Sequence, residues 1–352
     1  MTPHSQRPSA SETQPYAPSF LDRFMHSVAG LPVPFWLTYL ILFLVQSAIV
    51  HILAWIDGWL PAYTFSRMLF LFPLWQWLPL AIMTFSNSVS IQALSMFSRL
   101  LDVEEPELKR LKYEFSTMPS RGVILSSVIW GIIYVILTLV NFEAFYVSYG
   151  LGSILSVVVA VQGLIAYLTG SAIYYYSLRQ LRLVNHTVRM VRQFDIFRLD
   201  PVYAFSRVTS LIGGSWMIML TFTLLLFPTQ LVRGETLAIL ILQVVLAIAA
   251  FVLPLWFVHR RLEMEKLRVL AEFHRQVESI TARLHRCLDE NDMAPVTQLK
   301  DAMLGLSVER DVLTHIPTWP WRAGTLAAFL SATILPLVLF IVQLVISSLL
   351  GK

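Results

Sequence analysis

Apolar residues run along the chain in seven long blocks free of Asp, Glu, Lys and Arg, at residues 27–56, 68–98, 122–142, 144–178, 208–232, 236–259 and 323–351. An α-helix rises 1.5 Å per residue, so about 20 apolar residues cover a hydrocarbon core of about 30 Å, and each block can cross it. The runs are continuous rather than alternating, which argues against the strands of a membrane barrel. The pattern predicts an all-α membrane protein with seven transmembrane helices. Only Glu143 divides the third block from the fourth, but together they far exceed one crossing, and residues 141–152 supply turn residues and aromatics for a reversal.

After the sixth block the period changes. Apolar residues recur at Leu270, Phe273, Val277, Ile280, Leu284 and Cys287 or Leu288, the alternating spacing of three and four that makes a helical seam. Asn291 and Asp292 ahead of Pro295 predict a turn, and a second helix over about 295–313 carries Leu299, Met303, Leu306 and Leu313. Two amphipathic helices joined by a short turn predict an antiparallel hairpin, so residues 260–322 form a separate helical unit before a seventh span at 323–352. In IPTWPWR, Pro317 and Pro320 cannot continue the second helix and are the hinge candidates, while Trp319 and Trp321 suit a bilayer interface.

Composition agrees with the pattern: 56% of residues are hydrophobic and 14% charged, against roughly a quarter charged in soluble domains. The distribution of charge adds orientation. With the N-terminus inside, 23 Lys and Arg face the cytoplasm and three, Arg67, Arg233 and Lys352, face out. This predicts an N-terminus and hairpin in the cytoplasm, loops 99–121 and 179–207 beside them, and a C-terminus outside the cell or inner membrane. The same bias explains the net charge of +4, so the basic balance does not call for nucleic acid. Residues 1–26, rich in Ser, Pro and Thr, predict a disordered tail. In 179–207 Arg179, Arg182, Arg189 and Arg192 mix with Leu183, Val188, Val191, Phe194 and Phe197, a basic face that extends the fourth helix or lies on anionic lipid.

The chemistry within the spans is uncharged. An ionisable group at mid-membrane is expensive and kept for function, so its lack counts against an ion-coupled transporter. The spans hold amides, hydroxyls and prolines instead, among them Gln46, Gln76, Asn87 and Gln162, which suit contacts between helices. Pro73, Pro79, Pro254 and Pro336 predict kinks. His51 stands alone, Cys287 is the single cysteine, and no HExxH, GxSxG or phosphate-cradling glycine loop occurs, so neither metal, cofactor nor enzymatic activity is expected. The seventh span offers Thr325, Ser331, Thr333, Pro336, Gln343 and Ser347 as residues that would line a pore if several copies met around an axis.

Seven spans, an inside N-terminus, a cytoplasmic helical bundle and a last helix split at the membrane resemble the insect odorant and gustatory receptor channels in topology. The phrases LDPVYAFSR, HRRLEMEK and PTWPWR resemble those of uncharacterised prokaryotic membrane proteins. The first resemblance implies four subunits meeting through the cytoplasmic bundle with the last span at the pore. The leading expectation is a homo-oligomeric ion channel or receptor-like channel in the bilayer. The alternatives are a non-conducting scaffold or sensor that recruits a cytoplasmic protein through residues 260–315, and an uncoupled small-molecule transporter.

Overall fold

Backbone that leaves water must satisfy its own N–H and C=O groups, and the apolar blocks do so as helices. A computed structural model describes residues 14–140, 153–191, 199–226, 234–290 and 294–350, with backbone alone at 153, 234–240, 344, 347, 348 and 350. These residues form eleven α-helices: α1 (Phe20–Ala29), α2 (Phe35–Ile56), α3 (Leu71–Phe97), α4 (Glu105–Ser116), α5 (Ser120–Val140), α6 (Ser153–Gly170), α7 (Ala172–Arg189), α8 (Asp200–Leu226), α9 (Gly234–Asp289), α10 (Val296–His315) and α11 (Ala323–Leu350). Among the described residues there is no strand. Seven stretches are long and apolar enough to cross a membrane, carried by α2, α3, α5, α6 with α7, α8, α9 and α11, and the fold is that of a multi-pass membrane protein. The expected reversal at 141–152, the turn at Asn291 and Asp292, and the basic segment around Arg192, Phe194 and Phe197 lie outside the described residues.

Two breaks depart from the sequence expectation. The first block does not form one helix, because Pro32 and Pro34 interrupt it after Gly30; α1 ends at Ala29 and α2 starts at Phe35. Residues 20–26, expected within a disordered tail, are the first turns of α1. Ser19 and Asp22 close that helix end reciprocally: the Asp22 N–H donates to Ser19 Oγ at 3.1 Å and the Ser19 N–H to Asp22 Oδ2 at 3.0 Å. Asp22 Oδ2 also accepts the Met118 N–H at 2.8 Å, which ties α1 to the turn between α4 and α5. Tyr16 adds to the strap, its hydroxyl donating to the Thr117 carbonyl at 3.0 Å while the Tyr113 hydroxyl donates to the Tyr16 carbonyl at 2.7 Å. The second break separates α6 from α7 at Gly170 and Ser171. Here the backbone touches α3, since a Cβ on Gly170 would stand 1.8 Å from the Trp75 carbonyl oxygen.

The centre of the molecule is α8, which packs against α3, α9 and α11. Two thirds of its apolar window, 67%, is buried, against 22% for α5 and for α11, so α8 is the hub and the other two are peripheral. Small residues permit this. A Cβ on Gly213 would meet the Ala247 carbonyl oxygen and the Phe329 ring at 2.8 Å each, so only glycine lets α8 approach α9 and α11 together. Towards the hairpin end, Phe97, Phe115 and Phe205 stack in the largest core cluster, with ring centroids 4.5 and 5.9 Å from Phe205.

Candidate functional site

The sixth span does not stop at the edge of its apolar block. Helix α9 runs unbroken for 56 residues, about 84 Å at 1.5 Å per residue, so its second half stands clear of a 30 Å hydrocarbon layer. Helix α10 returns along it. The expected seam forms: Phe273 and Leu313 are buried, with Val269, Leu270, Val277, Leu306 and Ile316 packed against the same cluster. The Lys266 ammonium donates to the carbonyls of Thr314 and Ile316 at 2.8 Å each, closing the base of the hairpin by supplying donors to the end of α10. Towards the tip, Ile280, Leu284, Cys287, Leu299 and Met303 are only half-buried and Leu288 is exposed.

A second apolar stripe on α10 takes no part in the seam. Leu304, Val308 and Val312, spaced four residues apart, are 57%, 66% and 52% exposed. The seam explained the aliphatic residues at 299, 303, 306 and 313; this stripe lies on another face, and its spacing of four was the sequence signal that could have found it.

Between α10 and α11 the chain bends at the hinge candidates, where Pro317 is exposed and Pro320 buried. The bend is held by rings. The His259 ring lies parallel to Trp319 at 3.9 Å, Trp319 stacks on Trp321 at 4.4 Å, and Trp321 stacks on Phe251 at 5.4 Å, which in turn stacks on Phe329 of α11 at 4.4 Å. His259 Nδ1 also lies 3.2 Å from the Thr318 carbonyl oxygen. The linker is therefore pinned along α9 by an aromatic ladder, and the Arg322 guanidinium bonds Asp200 Oδ1 at 2.5 Å to fix the start of α11 against α8.

The residues nominated for a pore on the seventh span divide between faces. Thr333 and Pro336 are buried against the rest of the chain and Gln343 is half-buried. The Thr333 hydroxyl donates to the Phe329 carbonyl at 2.9 Å, and Gln343 Nε2 donates to the Leu224 carbonyl of α8 at 3.1 Å. Thr325 is half-buried, Ser331 faces outward, and the side chain of Ser347 lies outside those described. The outward face of α11 is otherwise aliphatic, with Ile334, Val338, Ile341 and Val345 each about half exposed. Of these polar groups Gln343 bonds to α8, while the Thr333 hydroxyl bonds back to its own helix.

Other polar groups of the spans bond between helices or to nearby loops. Gln46 Nε2 donates to Gln76 Oε1 at 2.9 Å and the Trp77 indole N–H donates to Gln46. His51 is buried, with Nδ1 2.7 Å from the Ser47 carbonyl and Nε2 3.3 Å from the Ser66 N–H, so a ring donating at Nδ1 and accepting at Nε2 holds the loop after α2. Among the described residues no group of three His, Cys, Asp or Glu converges. No family model, curated protein or solved structure matches the chain.

Proposed function

We propose that this protein is a homo-oligomeric membrane scaffold of the cell membrane, with its N-terminus and hairpin in the cytoplasm, whose copies join through α10. The orientation follows from the retained Lys and Arg on the hairpin side. One observation carries the rest: the exposed stripe Leu304, Val308 and Val312 on a hairpin helix that this orientation would put in water. Burying an aliphatic side chain of this kind stabilises by roughly 1.5–3 kcal/mol, and a second copy of α10 can supply that burial. The hairpin is fixed at both ends by spans six and seven, so copies in one bilayer present their stripes at the same height and in the same direction. Confinement to the bilayer then raises their effective concentration. Like residues would meet in register, Val308 against Val308.

The test is a cross-link in native membranes. With Cys287→Ser as background, Val308→Cys is expected to form a disulfide-linked dimer on oxidation, and Cys-free Val308→Glu to run as a monomer in detergent. A monomeric wild type on single-particle imaging with no Val308→Cys cross-link would remove this reading.

A second reading is a channel with α11 at the axis of the oligomer. It is favoured by the aliphatic outward face of that helix, since Ile334, Val338 and Ile341 around an axis would make a dry constriction that gates by wetting. It requires images with α11 central and currents from the reconstituted protein that change on Val338→Ser.

A further inference from the structure

At the hairpin end of the membrane helices a cleft of about 750 Å³ opens between the end of α3, the start of α8 and the end of α10. Its volume is that of a small-molecule site. Its lining is apolar at Leu100, Val312 and Ile316 and polar at Arg99, Asp200 and Tyr203. The ends of three spans meet here, because Arg99 follows α3, Asp200 begins α8 and Arg322 precedes α11. With these spans set across a bilayer, lipid head groups would reach this level.

The charges of the cleft do not cancel evenly. Asp200 is neutralised by Arg322 at 2.5 Å, and His315 on the rim faces Asp311 on its own helix, Nδ1 to Oδ1 3.4 Å. Arg322 also lies over the Tyr203 ring, 5.7 Å from its centroid, which holds it beside Asp200. Arg99 has no ion pair among the described residues, so its guanidinium is the free cation of the lining. A planar fork of N–H donors matches phosphate oxygens in pairs, and the apolar lining would accept a glycerol or acyl end.

We infer that this cleft binds a phosphate-bearing amphiphile, with Arg99 on the phosphate and Leu100 and Ile316 against the apolar end. The inference needs the spans but neither the oligomer nor the channel; it shares Val312 alone with the stripe proposed to join copies, and its test reads Arg99 and Leu100, which lie outside that stripe.

The experiment is native mass spectrometry of the full-length protein with phosphatidylglycerol or phosphatidylcholine. The wild type is expected to retain the anionic lipid preferentially, and Arg99→Gln to weaken that retention about tenfold, the scale of one charge-assisted bond. Arg286→Gln, which removes an equal charge from the exposed end of α9, is expected to leave it unchanged. Leu100→Trp, which fills the cleft and keeps both arginines, is expected to lower it. Soluble glycerol phosphate separates the sources: Arg99-dependent binding of it assigns the site to a free phosphate ester, and binding only of the lipid assigns it to the membrane. Equal losses for Arg99→Gln and Arg286→Gln, or no preference over phosphatidylcholine, would overturn the assignment.

Discussion

Helices α8 and α10 solve opposite packing problems. Helix α8 is buried on nearly every face, and what it buries is often small or hydroxylated: Ser206, Thr209, Gly213, Gly214, Ser215 and Thr221. Helix α10 buries one residue fully, Leu313, and otherwise relies on half-covered aliphatics. The solvent explains the contrast. Lipid tails are as apolar as leucine, so helices inside a membrane gain little from hiding aliphatic surface from them and associate through close approach, dispersion and short polar bonds. In water the aliphatic seam is itself the driving force, and a stripe left open there is a cost that a partner can remove.

The comparison breaks most sharply at the hub. Gly213→Leu should cost at or above about 3 kcal/mol, the upper end for overpacking, because the new side chain collides with backbone of α9 as well as Phe329. Loss of the folded monodisperse peak in detergent is the readout, and a normal thermal midpoint would deny the hub. Phe273→Ala should cost about 3 kcal/mol and act on the hairpin alone. Hydrogen exchange is expected to rise across α10 and the far half of α9 while α8 stays protected.

An intermediate case is the strap at α1, where an acid does the packing. Burial raises the Asp22 carboxyl above its usual range, opposed by its bonds to Ser19 and Met118. A raised folded value means that its contribution to stability is full below the unfolded carboxylate pKa of about 3.9 and is lost as pH rises through the raised value. Asp22→Asn should flatten that decline in unfolding midpoints measured between about pH 4 and 7. Asp22→Ala should lower the midpoint at every pH, by about 1 kcal/mol for the lost cap. The smallest effect belongs to the polar bond between α11 and α8: Gln343→Leu should cost about 0.6 kcal/mol, typical of one side-chain bond inside a membrane. A loss of several kcal/mol would show that polar contacts, rather than small-residue packing, hold the hub together.

Much of this architecture was legible in the residues. The seven apolar blocks became seven membrane-length stretches, and the seam at Leu270, Phe273, Val277 and Leu306 packs as its spacing required. The reading of the N-terminal region went astray for a local reason. A capping box at Ser19 and Asp22 stands ahead of only a short amphipathic run, and the next two prolines divide what hydropathy alone sums into one block. The polar residues of α11 were legible as a set but not as a direction. Thr333, Pro336 and Gln343 fall at spacings of three and seven residues, one face of a helix, and nothing in that spacing says whether the face meets α8 or an axis of symmetry.

The residues alone give the number of membrane-length stretches, because lipid imposes one rule on every crossing: enough apolar residues and a backbone satisfied within the segment. They also determined the hairpin seam, where water imposes the period. Only the tertiary structure decided that α8 is the hub, that the strand of chain around Tyr16 and Asp22 clasps the α4–α5 turn, and that Arg99 opens onto a cleft. Each depends on which helices approach one another and how closely. Such approach turns on distances of a few ångströms between residues far apart in the chain, as between Gly213 and Ala247 or Tyr16 and Arg179, for which the sequence carries no period.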